Sequence, residues 1–515
     1  MTVAEMRALE RATFAAGVSE ARLMDQAGSA VADALAAWLP RTERRTLLAL
    51  VGKGNNGGDA LIAARRLHER CGMTVRLYLL SDRAADPLLE WAEAGGAERA
   101  VHSPRSGARL RAWLEEADVV LDGVLGIGAR LPLGGALASV LETVDRHRPT
   151  GQRRVAVDVP TGVDADTGRA DARAFRADLT LVTGPAKPGL LIHPGAAHAG
   201  RVVPLDIGLR ADASGDRLAR LDDAQVASLL PARRDDSHKG TYGKLLVVAG
   251  SARYTGAAYL TSAAAVRAGA GLVTLAAPRD VKEAVAGQSP ETTFLPLADD
   301  PAAPGALTPG HLGTLLDAAA GYDAVVMGPG QGAAPQTREL VALMTERLAM
   351  LDPAPRLLID ADGLNALAAR GEWARPQGGP WVLTPHPGEM ARLSGLQADA
   401  VQRDRLGLAA AKAAEWGQVV VLKGAPSIVA APGGAVRLTP FANASLAVAG
   451  TGDVLSGTIG ALLAQGVEPF AAAAAGSYVH GLAGELWRAA HGSAGLPATG
   501  LLELLPSALD RLRRR

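Results

Sequence analysis

The sequence predicts two successive doubly wound α/β domains, each a three-layer stack of helices around a mostly parallel sheet. Three observations predict it. Short runs rich in valine and leucine alternate with helical stretches; the runs are apolar on both faces, as strands buried between two helix layers must be; and the alternation starts twice, on either side of one polar stretch. At about 150 residues per domain, a chain of 515 residues holds about two to four domains, and 48% hydrophobic with 21% charged residues supply apolar surface for full cores.

The first domain opens on two helices. Thr2 and Glu5 have the spacing of a capping box, and Met6, Leu9 and Phe14 continue at helical spacing. A second helix is expected from about Ser19 to Leu39, ended by Pro40. Strands follow at 46–52, 74–80, 118–124, 154–160, 179–184 and 201–208, which gives a first domain over residues 1–212. Residues 209–222 carry no long apolar run and read as the linker. The second domain, 222–515, has strand runs at 244–250, 271–278, 323–330, 356–363, 381–388 and 418–430, then a helical last third with the alanine tract 471–475. The basic tail at 511–515 reads as a solvated helix end.

Composition excludes several classes of function. With 53 basic and 53 acidic side chains the net charge is zero, so no global field collects nucleic acid or an anionic membrane. The first residues, MTVAEMRALERATF, place charges where a signal peptide needs an apolar stretch, and no window reaches the roughly 18 apolar residues of a membrane span. Cys71 is the single cysteine, which excludes an internal disulfide and any zinc site built on cysteine pairs. The expectation is a cytoplasmic protein. Only seven of the 53 basic residues are lysine, and five of these (Lys53, Lys187, Lys239, Lys244 and Lys423) stand in glycine- or proline-rich stretches, where a compact ammonium fits and a guanidinium fork does not.

In open parallel sheets ligands sit beyond the carboxyl ends of the strands, and the unusual clusters of this chain fall there. GKGNNGGD at 52–59 follows a strand and opens a helix whose free N–H groups suit phosphate, although its asparagines and Asp59 depart from a dinucleotide fingerprint. LDGVLGIGARLP at 121–132 and AVDVPTGVDADTG at 156–168 each put a carboxylate, Asp122 or Asp158, at a strand end. Oxygen donors from Asn56, Asp122 and Thr161 include one formal carboxylate, a set suited to a monovalent cation. Taken singly, all of these are ordinary turn residues.

With LMDQAG before them and TGPAKPGLL after them, these motifs resemble, in the same order, an NAD(P)H-hydrate epimerase domain over residues 1 to about 210. The resemblance implies a Rossmann-like fold. It implies that Asn55, Asn56, Gly57, Gly58 and Asp59, then Gly126, Ile127, Gly128, Ala129, Arg130, Leu131 and Pro132, together with Asp158, contact the hydrated nicotinamide nucleotide, while Asn56, Asp122 and Thr161 hold a potassium ion. Thr161 replaces the family's usual serine and keeps both hydroxyl and carbonyl. Asp158 is the acid/base candidate of this domain, with Lys187 behind it.

In the second domain, AGTGDVLSGTIGALL at 449–463 sets three glycines and Thr451 before a helix with Asp453 in its first turn. Free N–H groups there make an anion hole, and Asp453 is placed to take the proton of a hydroxyl that attacks a bound phosphoryl group. No GxxxxGK[ST] occurs, so this is not a P-loop; a glycine-rich turn capped by Asp453 is the plain alternative. The loop resembles the anion hole of the ribokinase superfamily. HKGTYGKLLVVAGS, YTGAAYL, MGPGQG, IDADGLNAL, LTPHPGEMARL, VLKGAPSIVA and FANASLAVAGTGDVLSG narrow the likeness to its ADP- or ATP-dependent NAD(P)H-hydrate dehydratase branch over residues 238–457. That branch implies a ribokinase-like fold, with Lys423, Gly424, Ala425, Pro426, Ser427 and Gly452 on the adenine nucleotide, and Ala257, Gly330, Gly332, His386 and Asp453 on the hydrate. AVAGTGD where the family often has ATGGTGD, and Ala442 where glycine is usual, are departures that leave Gly452 and Asp453 in place. His386, between two prolines, reads either as an imidazole aimed at substrate or as a histidine bonded to its own loop.

The two resemblances together imply a bifunctional enzyme that epimerises the hydrates of NADH and NADPH and dehydrates the S hydrate with a nucleotide. Its cofactors are potassium in the first domain and magnesium with ADP in the second. ADP and ATP both stay open as donor, similarity to bacterial members favouring ADP. A homo-oligomer is expected, without nucleic acid or membrane. The rivals are a ribokinase-type small-molecule kinase fused to a non-catalytic nucleotide-binding module, and a first domain that only senses nucleotide or binds protein.

Overall fold

A computed structural model describes residues 1–40, 45–83, 86–209, 217–371 and 379–514, and the chain divides into two compact units, Met1–Gly215 and Asp216–Arg515. Residues 210–216 of the expected linker and Arg515 of the basic tail lie outside the described residues. No helix among the described residues is long and apolar enough to cross a membrane.

The first unit is built on seven parallel strands: β1 (Thr46–Val51), β2 (Thr74–Leu79), β3 (Glu98–Val101), β4 (Val119–Gly123), β5 (Arg153–Val157), β6 (Leu179–Thr183) and β7 (Arg201–Leu205). Their order, β3-β2-β1-β4-β5-β6-β7, is that of a Rossmann-like sheet. Alternation along β1 shows why the run is apolar throughout: Leu47, Ala49 and Val51 enter one core cluster, Leu48 and Leu50 the other. Helix Val3–Ala15 starts on the capping box of Thr2 and Glu5, and helix Glu20–Trp38 on the Ser19 cap.

The second unit holds β8 (Leu218–Arg220), β9 (Lys244–Val248), β10 (Leu272–Pro278), β11 (Thr293–Leu297), β12 (Ala324–Met327), β13 (Arg356–Ile359), β14 (Val382–Leu383), β15 (Val419–Leu422), β16 (Ile428–Ala430) and β17 (Val436–Leu438). The sheet runs β11-β10-β9-β12-β13-β14-β15-β16-β17-β8, parallel except where β16 pairs antiparallel with β15 and β17. Leu245 and Val247 of β9 face one core cluster and Leu246 and Val248 the other. Two expectations change. The run 418–430 is a hairpin that turns at 423–427, and residues 218–220, read as linker, pair with β17 as an edge strand. Edge position explains the second change, because such a strand needs no continuous apolar run.

In each sheet the strand order reverses once, between β1 and β4 and between β9 and β12, which is where an open α/β sheet opens a crevice for ligand. Helix Thr451–Ala464 packs across the second sheet against helix Thr255–Arg267 so closely that a Cβ on Gly457 would lie 2.1 Å from the Thr261 carbonyl oxygen. Gly457→Ala should therefore destabilise the second unit by about 1–3 kcal/mol through overpacking. Urea unfolding followed on the full chain measures this, and an unshifted transition would mean that the two helices do not meet there.

Candidate active sites

In the first unit the helix Asn55–Cys71 begins in the asparagine pair itself, capped by Gly54, so Asn55–Asp59 form its first turn and not a loop before it. Gly57, Gly58 and Asp59 are buried there. Burial, and then the charge of Asp158, push the Asp59 carboxyl well above the usual carboxylate range. With Glu10, Asn55 and Thr183, Asp59 lines a cavity of about 220 Å³. Asn56 Oδ1 and Asp158 Oδ2 lie 3.4 and 3.1 Å from the place of a Cβ on Gly126, so the three segments that leave β1, β4 and β5 converge at one point.

Behind that point Asp122 is fully buried. Its Oδ1 accepts from Thr161 Oγ1 (2.7 Å) and its Oδ2 from the Thr161 N–H (2.7 Å), and burial outweighs these bonds to push the carboxyl up to about 6. Asn56 Nδ2 is buried without a hydrogen-bond partner. Asp158 follows β5 with φ 64°, a left-handed conformation uncommon outside glycine, and its Oδ1 accepts from Lys187 Nζ (2.5 Å) and Thr183 Oγ1 (3.1 Å). The stretch from Ile127 to Pro132 continues along the rim with Gly128, Arg130 and Pro132 exposed, and no hydrogen bond joins it to Asn56, Asp122 or Asp158 among the described residues.

In the second unit the segments after β9 and β12 are bonded together. Ser251 Oγ donates to the Gly330 carbonyl (2.8 Å), the Gly332 N–H donates to Asp362 Oδ2 (2.8 Å), and Ala257 Cβ lies 2.7 Å from the place of a Cβ on Gly330. Lys423, just past β15, stands at the centre of the acidic groups. Its Nζ is 2.7 Å from Asp360 Oδ1 and 3.7 Å from Glu389 Oε2, while Asp360 Oδ2 accepts from Ser456 Oγ (2.7 Å). Burial works to lower the Lys423 pKa, but Asp360 and Glu389 hold it above its ordinary value.

Asp453 lies in the first turn of helix Thr451–Ala464, capped by Gly450 at φ 92°. Burial first, and Asp360 next, push its carboxyl up to about 7. The N–H groups of Gly452 and Asp453 have no acceptor among the described residues, as expected in a first helical turn. A Cβ on Gly452 would lie 3.6 Å from Lys423 Nζ, so the anion-ready helix end and the lysine address the same space.

His386 is bonded to its own loop. Its Nδ1 accepts from the N–H groups of Gly388 (3.0 Å) and Glu389 (3.3 Å), capping helix Pro387–Ser394, and Nε2 stands 3.3 Å from Glu389 Oε1. Burial and the Lys423 charge lower its pKa, which keeps the ring neutral with the proton on Nε2. The two carboxylates that anchor Lys423, Asp360 and Glu389, lie within IDADGLNAL and TPHPGE, where the sequence alone does not distinguish them from helix-capping acids.

The second unit has the ribokinase-like fold: a ribokinase-like superfamily protein from Enterococcus faecalis V583 superposes with TM-score 0.50 at 22% identity, over 59% of this chain and 100% of its own. The class is thus a Rossmann-like unit joined to a ribokinase-like one. Residues 245–507 match the NAD(P)H-hydrate dehydratase family, and residues 20–189 match the family of the YjeF-related protein N-terminus. The bifunctional NAD(P)H-hydrate repair enzyme of Moorella thermoacetica is 38% identical over 99% of this chain and 97% of its own, and that of Escherichia coli 33% over 95% and 89%. The chain belongs to the family of bifunctional NAD(P)H-hydrate repair enzymes.

Removing one partner of a buried ion pair strands the other charge. Lys187→Met should therefore lower the stability of the first unit by about 3 kcal/mol, and Asp158→Asn combined with it should restore most of the loss. Denaturant unfolding of both variants measures the difference; equal stability of Lys187→Met and the parent would show that the pair is not buried in solution.

Proposed function

We propose that the second unit dehydrates the S hydrates of NADH and NADPH with a nucleotide as phosphoryl donor, and that the first unit interconverts the R and S hydrates to feed it. The observation that carries this is the place of Asp453, in the first turn of helix Thr451–Ala464, whose start lies so near Lys423 that a Cβ on Gly452 would be 3.6 Å from its Nζ. Asp453 takes the proton of the ring hydroxyl as its oxygen attacks the terminal phosphorus of the donor, and the bond from that phosphorus to the donor's bridging oxygen breaks. ADP as donor leaves AMP. Hydroxide is a poor leaving group and phosphate a good one, so the lone pair of the ring nitrogen then expels phosphate, and loss of a proton from the adjacent carbon restores the dihydropyridine. The free N–H groups of Gly452 and Asp453 hold the transferred phosphoryl group, Lys423 to Ser427 the donor, and Ala257, Gly330, Gly332 and His386 the hydrate.

No group of three or more carboxylate, histidine or cysteine side chains among the described residues is arranged to hold a metal ion. Magnesium suits this site as a companion of the nucleotide, since it is commonly held by one or two carboxylates plus phosphates, and Asp360, Glu389 and Asp453 outnumber Lys423. Its charge offsets that of the phosphates. In the first unit Asn56, Asp122 and Thr161 offer one carboxylate with neutral amide and hydroxyl oxygens, which fits potassium better than a divalent ion. Bound there, potassium supplies a fixed positive charge next to the NNGGD turn. Asp158, held by Lys187, moves the proton in epimerisation, with Asn55, Gly57, Gly58, Asp59 and the 126–132 stretch on the nucleotide.

Asp453→Asn should reduce dehydration on the order of a hundredfold or more and leave epimerisation intact. In the parent, dehydration measured as kcat/KM should rise as pH passes through about 7 and level above it, because the base acts only when ionised. Near-parent dehydration by the variant removes Asp453 from the mechanism; accumulation of a phosphorylated hydrate, in place of free phosphate and reduced cofactor, would make the unit an ordinary kinase.

Epimerisation should require potassium, and Asp122→Ala should remove that requirement together with most of the substrate affinity. Equal rates of hydrate interconversion in potassium and in a bulky organic cation would reject the site.

A further inference from the structure

Arg405 begins the helix Arg405–Trp416 and is 4% exposed, yet no carboxylate pairs with it among the described residues. Burial alone pushes it down to about 10, so it stays charged at neutral pH. The guanidinium donates instead to four carbonyls at the end of β15 and in the turn that follows. Nη2 reaches Pro426 O (2.8 Å), Lys423 O (3.2 Å) and Leu422 O (3.4 Å), and Nη1 reaches Ala425 O (3.3 Å). The turn is wrapped directly on this group: a Cβ on Gly424, whose φ is 149°, would lie 2.4 Å from Nη2.

A trans peptide carries its N–H and C=O on opposite sides. Drawing the Lys423 carbonyl onto Arg405 therefore turns the Gly424 N–H the other way. The Gly424 carbonyl is taken by Ser427 Oγ (3.3 Å), and neither the Gly424 nor the Ala425 N–H has an acceptor among the described residues. The turn thus carries two N–H groups without acceptors and is held on a buried cation that no carboxylate pairs among the described residues, while Lys423 leaves it toward Asp360 and the Gly452 helix end. A buried charge of this kind is expensive unless something opposes it, and successive free N–H groups form an anion cradle.

We propose that Arg405 is a positioning residue for the donor nucleotide: by gathering the carbonyls of Leu422, Lys423, Ala425 and Pro426 it presents the Gly424 N–H to the anionic phosphates, beside the Ala425 N–H of the peptide that Ser427 holds, and supplies a positive field that the bound donor neutralises. This rests on the reading that the turn 423–427 binds the nucleotide. Arg405 itself touches no substrate.

The test uses the full chain. Arg405→Met should raise the KM for ADP or ATP at least about tenfold, with kcat at saturating nucleotide and the hydrate KM within about twofold of the parent. Arg405→Lys keeps the charge but cannot span four carbonyls, and should fall between. Amide hydrogen exchange of the parent with ADP and magnesium should show protection of 423–427. No protection there would overturn the nucleotide reading of the turn and this inference with it; protection together with an unchanged nucleotide KM in Arg405→Met would overturn the inference alone. Should Arg405→Met not fold, Arg405→Lys carries the test, since it keeps a charge at the position while giving up most of the carbonyl contacts. The same nucleotide-selective rise supports the role, and an equal effect on both substrates refutes it.

Discussion

A lysine held against a buried aspartate at the carboxyl end of the sheet is the interaction on which each unit's site depends. Strands covered on both faces have no room for polar chemistry along their length, so it is displaced to the strand ends. Asp158 follows β5 and is fixed by Lys187; Asp360 follows β13 and is fixed by Lys423. Each pair lies next to a non-glycine residue with positive φ, Asp158 itself in one unit and Ala361 in the other. Such backbone costs about 1–3 kcal/mol, and desolvating each ion several more. The short contacts and the extra donors, Thr183 in one case and Ser456 in the other, offset that cost and fix where the loops stand. These pairs are better understood as fixing geometry than as adding stability.

The two units then differ in how much negative charge one lysine must balance. Lys187 serves Asp158, while burial, and then the charge of Asp158, push the nearby Asp59 carboxyl well above its ordinary range. Around Lys423 stand Asp360, Glu389 and Asp453. Burial disfavours the charged forms of Glu389 and Asp453, Asp360 adds to it, and one ammonium offsets this only in part, so both carboxyls stand above their ordinary range, Asp453 at about 7. A carboxyl near pH 7 is a stronger base than an ordinary aspartate and is still half ionised at neutrality, which is what removing a proton from an alcohol demands.

Much of this was legible in the sequence because the signals are local. Apolar runs on both faces mark the central strands, Thr2 with Glu5 marks the first cap, and glycine clusters mark the loops at the two switch points. Short or edge strands were not legible: β3, β8, β11 and β17 hold three to five residues and carry polar ones, and the turn inside 418–430 hides between two apolar runs. The scarcity of lysine pointed to Lys187 and Lys423, but equally to Lys53, Lys239 and Lys244, which lie exposed. Arg405 gives no signal at all, since its partners are backbone carbonyls, and carbonyls have no letter in a sequence. His386 shows the converse: a position that looks aimed at substrate spends one ring nitrogen on its own helix cap.

In the proposed function, two charged sites on one chain complete a single repair, one epimer at a time. Incubating the full chain with an equal mixture of the R and S hydrates, magnesium, potassium and ADP, while following both the absorbance of the reduced cofactor and free phosphate, tests it most directly. The whole mixture should return to reduced cofactor with one phosphate released per molecule repaired. Recovery that stops at half, with the R hydrate decaying only at its uncatalysed rate, or phosphate released without recovery of the cofactor, would contradict it.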